Sequence, residues 1–274
     1  MNIIRITSRL MGSSMTTLTN PLTYRSPQDQ IFKRFFCTQS FEKFSQKNQD
    51  KNLALKERDI VILYEGNPIN GESLIHSKGR PIYIIGKLFG RLIGIFLTSQ
   101  NIDKYSLQLT PNADNNLTLN SKPIFNQWIS IDPKTQLLKK IGFNENSLIH
   151  SEIVTQATRQ IENSQKDSSS QGFIYTIKTV NECFNVFIIS NYGPEAPVHI
   201  GIKMTDPFSI EGQNKPYFLP ITWNTQAAHK QSQPLDLRDI NSYSHETMAL
   251  KGKADCDSLT AIYDTTMNLF TKLK

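Results

Sequence analysis

The stretch PIYIIGKLFGRLIGIFLT, residues Pro81 to Thr98, is the most apolar run of the 274-residue chain. Whether it forms a helix or a hairpin decides the fold. A helix would place Pro81 in the first turn, where its missing N–H is no loss. Gly86, Gly90 and Gly94 would then form a packing face at i, i+4 and i+8, the small-residue spacing that lets membrane helices approach closely. The ten Leu, Ile and Phe residues of the run would favour insertion by about 3–6 kcal/mol, while Lys87 and Arg91 would oppose it by about 2.5–3.5 kcal/mol each. The sum is near zero, and the charges leave the run short of the roughly 20 apolar residues of a clean span. It is no autonomous transmembrane helix, though a marginal span or an interfacial helix in a larger membrane complex fits it. A hairpin would instead pair Ile82–Ile85 with Leu92–Leu97 across Gly86–Arg91. Ile favours strands, and Gly is costly inside a soluble helix. Both readings stay open on this segment alone.

Upstream, Ile60-Val61-Ile62-Leu63-Tyr64 is a short β-branched run closed by Glu65-Gly66-Asn67-Pro68, the pattern of a buried strand ended by a turn. Downstream, Tyr105, Leu107 and Leu109 alternate with polar residues, and Leu117–Leu119 returns the chain. Trp128–Ile131 reads as a further strand stopped by Asp132-Pro133. Ile149, Ile153, Ala157 and Ile161 then share one helical face, with Asn146 or Ser147 as cap, which predicts an amphipathic helix over about 147–163. The polar run Glu162–Gln171 is a candidate internal boundary.

The second half reads as sheet. Phe173–Val180 and Phe184–Ser190 should form a hairpin, Val198–Met204 alternates with period two, and Tyr217–Trp223 suits an edge strand because Pro220 cannot donate. A Gln-rich polar stretch leads to a C-terminal helix over about 256–272 with an apolar stripe of Leu259, Ile262, Tyr263 and Phe270. The expected class is α+β, mainly antiparallel. The expected regions are a presequence (1–36), a polar linker (37–58), and β-rich regions over 59–163 and 172–274.

The presequence reading rests on composition. Between Met1 and Phe36 stand Arg5, Arg9, Arg25, Lys33 and Arg34 against the single acid Asp29, among many Ser and Thr. Ile3, Ile6 and Leu10 recur at helical spacing with Arg5 and Arg9 on another face, as in mitochondrial transit peptides. Arg34, Phe36 and Cys37 fit a matrix processing site, with cleavage after Phe36. The chain carries a net charge of +6, and removing this segment leaves about +2. The basicity is therefore mostly address, and no strong nucleic-acid signal remains.

No motif for chemistry survives inspection. His245-Glu246 begins like a zinc-protease helix, but the second imidazole would have to stand at Ala249. His199 falls on the polar side of its strand, which predicts a surface position. His76, His150 and His229 are isolated. No glycine-rich phosphate loop is present. Cys183 and Cys256 are far apart and suggest neither a disulfide framework nor a zinc site. No catalytic residue, metal or cofactor is expected.

Arg58-Asp59-Ile60-Val61-Ile62-Leu63-Tyr64-Glu65, and Leu88-Phe89-Gly90-Arg91-Leu92-Ile93-Gly94-Ile95-Phe96 with Gln100, resemble the transmembrane-protein-70-like family over about 40 residues. The resemblance implies a mitochondrial inner-membrane protein that assists assembly of respiratory complexes. The family carries a two-helix membrane hairpin, and here no second apolar segment follows. No functional residue is carried over from it. The expectation is thus a non-catalytic subunit or assembly factor of an inner-membrane respiratory complex, in the matrix or at the matrix side of the inner membrane. Its partners would be other subunits of that complex, with inner-membrane contact through Pro81–Thr98. A mitochondrial ribosomal or RNA-associated protein is the alternative, and a matrix enzyme with a dispersed site the third.

Overall fold

The computed structural model describes residues 54–63, 80–100, 107–136, 138–165, 172–179, 182–190, 198–206 and 215–273. All belong to one compact unit, Ser45–Lys274. The presequence, with Arg34, Phe36 and Cys37, lies outside the described residues, as do Tyr105 and the turn after Leu63.

The chain is α+β and mainly antiparallel sheet. An open five-stranded sheet comprises β1 (Asp59–Leu63), β2 (Ile82–Leu88), β3 (Arg91–Thr98), β4 (Lys122–Ile131) and β5 (Leu138–Phe143), in the order β4-β3-β2-β1-β5. A closed barrel follows, built from β6 (Phe173–Lys178), β7 (Cys183–Ser190), β8 (Val198–Met204), β9 (Phe218–Thr225), β10 (Lys230–Ser244) and β11 (Met248–Ala254). Two helices, α1 (Ser147–Gln165) and α2 (Cys256–Thr271), complete it.

The decisive stretch is the hairpin β2–β3. Its two-residue turn, Phe89-Gly90, has φ values of 48° and 87°, the doubly left-handed geometry whose twist matches paired strands. The helical face of Gly86, Gly90 and Gly94 is therefore not formed. An extra residue in β2 between Ile84 and Gly86 turns Gly86 towards Leu273, whereas Gly94 faces Ile82 across the opposite side of the sheet and Gly90 sits in the open turn. The three glycines serve two close approaches and one turn.

Both faces of the five-stranded sheet are apolar. Val61, Ile82, Ile84, Leu92, Phe96 and Ile129 form one cluster. Tyr83, Ile85, Ile93, Ile95 and Trp128 face the other way, into a core shared with α1, α2 and the barrel residues Phe187, Ile200, Ile202 and Trp223. At about 25 cal/mol per Å², burying such a hydrophobic continuum is the main stabilising contribution. Helix α1 begins where the Asn146 side chain accepts the N–H groups of Leu148 and Ile149, at 3.0 and 3.1 Å, and Ile153, Ala157 and Ile161 are fully buried. Asp255 caps α2 by accepting from Ser258 N at 2.8 Å, and Phe270 of this helix meets Trp128 with ring centres 5.4 Å apart.

The structure has two strands, β5 and β11, that the sequence pattern did not predict, and it departs from that pattern at two further places. Leu117–Leu119 forms no strand. The Gln-rich stretch, read as a polar connection, contains the 15-residue strand β10. Strand β9 is not the edge strand that Pro220 suggested, since it lies between β10 and β11 in the closed barrel; β11 pairs only with Trp223–Thr225, and Pro220 faces Pro234 of β10, so neither proline wastes a ladder donor.

Candidate functional site

The sheet and the barrel meet where an open edge would otherwise remain. Strand β4 has no ladder partner beyond β3, and unpaired edges attract other chains. Side chains of β10 close this edge. Ser242 Oγ accepts from Trp128 N at 2.6 Å and donates to Asn126 O at 3.0 Å, and Asn241 Oδ1 accepts from Ser130 N at 2.8 Å. Ser130 Oγ in turn donates to Arg238 O.

The tip of β2–β3 lies against the same strand. Arg91 Nη1 stands 3.5 Å from the buried carboxylate of Asp239, and burial raises the pKa of that carboxyl while Arg91 opposes the shift. The Phe89 ring meets Tyr217 at 5.9 Å and Tyr217 meets Phe218 at 4.7 Å. Arg238 stacks its guanidinium 3.7 Å from the Tyr217 ring centre and grips Asp236 with two donors, at 2.9 and 2.8 Å. Phe89 remains 38% exposed. A bulky residue with positive φ is uncommon, since Asn-Gly is the favoured pair for this turn. Strain of this kind gathers at functional positions, and Tyr, Phe and Arg on a solvent-facing patch are the residue types that anchor protein interfaces. Sequence reading had Gly90 in view for its spacing and passed over Phe89, although Phe-Gly between two apolar strands was the available signal.

Compared with known proteins, the chain matches no family model, no curated protein and no solved structure.

Three further groupings stand apart from the patch. The Phe143 ring is ringed by cations, with Arg58, Lys56 and Lys140 at 4.8, 4.9 and 5.6 Å from its centre; Lys140 is also held by Asp59 at 2.6 Å. Tyr83 joins His150 Nδ1 at 3.1 Å and accepts from Asn144 at 3.2 Å. Burial pushes the Tyr83 hydroxyl up to about 12, with Asn144 opposing, so it stays protonated and ties α1 to the sheet. A polar cleft of about 430 Å³ opens beside Cys183, Asn185, Lys203, Thr205 and Gln233. Lys203 there is spoken for by Glu182 at 3.1 Å and by the Phe184 ring at 4.2 Å.

His199 corrects the sequence reading. It is 3% exposed because β8 is covered on both faces, and its polar neighbour in the ladder, Tyr243, is buried as well. His245 belongs to a single 3-10 turn, His245–Thr247, after which the chain resumes as strand. Among the described residues, no helix is long and apolar enough to cross a membrane.

Proposed function

We propose that the protein is a non-catalytic subunit or assembly factor of a mitochondrial inner-membrane respiratory complex, working on the matrix side through the patch Phe89, Tyr217, Phe218 and Arg238. The observation that carries this reading is Phe89, an exposed aromatic in a left-handed turn position where a smaller polar residue would serve the fold better. The import-type N-terminus and the resemblance around residues 58–65 and 88–100 supply the compartment and the class of partner. Native-gel complexome profiling of mitochondria tests it, with co-migration of the chain and a respiratory complex as the expected result. Sequencing the mature N-terminus should give a start near Cys37.

A second reading, an RNA-associated protein, draws on the three cations around Phe143, since an aromatic flanked by positive charge suits a stacked base and its phosphates. Co-sedimentation with ribosomal particles, lost in high salt, would favour it over the first.

A further inference from the structure

The pairing of β10 with β8 puts Tyr243 opposite His199 and Ser244 opposite Val198, which brings the imidazole of His245 over that of His199. The ring centres are 5.4 Å apart and the planes inclined at 54°. Both nitrogens of His199 and Nδ1 of His245 are buried without a hydrogen-bond partner. Buried polar atoms are satisfied in the great majority of cases, and each orphan is destabilising. A single partner between the rings would take one nitrogen from each.

We propose that His199 and His245 chelate a zinc-class transition-metal ion at the barrel end where β8 begins and β10 finishes. The spacing supports this. A metal–nitrogen bond of about 2.0–2.1 Å puts the ion about 3.2 Å from each ring centre, so two imidazoles on one tetrahedral ion have centres about 5.2 Å apart, and two on a linear ion about 6.4 Å. The observed separation fits the tetrahedral case. No third His, Cys, Asp or Glu joins the pair among the described residues. Two positions therefore fall to water, and affinity on the order of micromolar is expected, well short of closed four-ligand sites.

The test is calorimetric titration of zinc chloride into the full chain after dialysis against a chelator. One zinc per chain is expected, with His199→Gln and His245→Gln each weakening binding at least tenfold and His229→Gln, at an exposed position, leaving it unchanged. No saturable binding, or wild-type affinity in both site variants, overturns the proposal. Should His199→Gln fail to fold, cobalt(II) bound to the unaltered chain decides: strong tetrahedral visible bands support the site, and a weak octahedral spectrum refutes it.

Discussion

Strand β3 buries Leu92, Ile93, Ile95, Phe96 and Leu97 between two apolar clusters, whereas β10 buries Asp236, Asp239, Asn241 and Ser242 along the edge where the sheet meets the barrel. The first kind of burial is non-directional and roughly proportional to area. The second holds only while each polar atom keeps its own partner, here Arg238, Arg91, Ser130 N and Trp128 N. A β3 side chain can be replaced by any apolar group of similar volume. Asp236 answers to its strand neighbour Arg238, but Asp239, Asn241 and Ser242 answer to residues more than a hundred positions away.

The largest effect should come from the apolar side. Phe96 is 2% exposed, and Phe96→Ala should destabilise by about 3–5 kcal/mol through lost transfer energy and the cavity left behind. Equilibrium urea unfolding measures it. On β10, Asn241→Ala strands the Ser130 N–H in a dry edge and should destabilise by about 1–3 kcal/mol in the same assay. A loss as large as that of Phe96→Ala would mean that the edge seal, rather than the core, holds the two halves together.

Acid sharpens the comparison further. Burial lowers the pKa of both His150, beside the sheet, and His199, in the barrel. A base with a lowered folded pKa binds fewer protons when folded, so stability is full above the unfolded value of 6.5 and falls as pH drops through it. Thermal melts between pH 7.5 and 5 should show this decline, and His199→Gln and His150→Gln should each flatten part of it. A melting curve insensitive to pH over that range would contradict the burial of both rings.

The contrast also explains what was legible beforehand. Val198–Met204 and Phe173–Ser190 announce strands by apolar alternation, and Ile149–Ile161 announces a helix by its stripe. The class and both helices were accordingly readable. Pro81–Thr98 was ambiguous because its glycines suit a helix face as well as a turn and two close approaches, and only the strand neighbours separate the cases. Lys230–Ser244 gave no signal, since Gln233 and Asp239 look solvated until their distant partners, Asn185 and Arg91, are in place. His199 misled for a related reason: alternation reports polarity, while the covering of the second face by other elements is not written locally. Phe89 was missed because a single aromatic at a turn carries no period.

The smallest expected effect on stability is the most informative about function. Phe89→Asn installs the preferred Asn-Gly turn, relieving about 1 kcal/mol of backbone strain, and removes a ring contact worth about 0.5–1.5 kcal/mol. These changes nearly cancel, so the fold should keep its melting temperature within a few degrees. Native-gel complexome profiling of mitochondria carrying either the unaltered chain or Phe89→Asn is then the most direct measurement. The proposed role requires the unaltered chain to migrate with a respiratory complex and the variant to fall to free-chain mass while still folded. Migration of both with ribosomal particles, or identical migration of both as free chain, would contradict it.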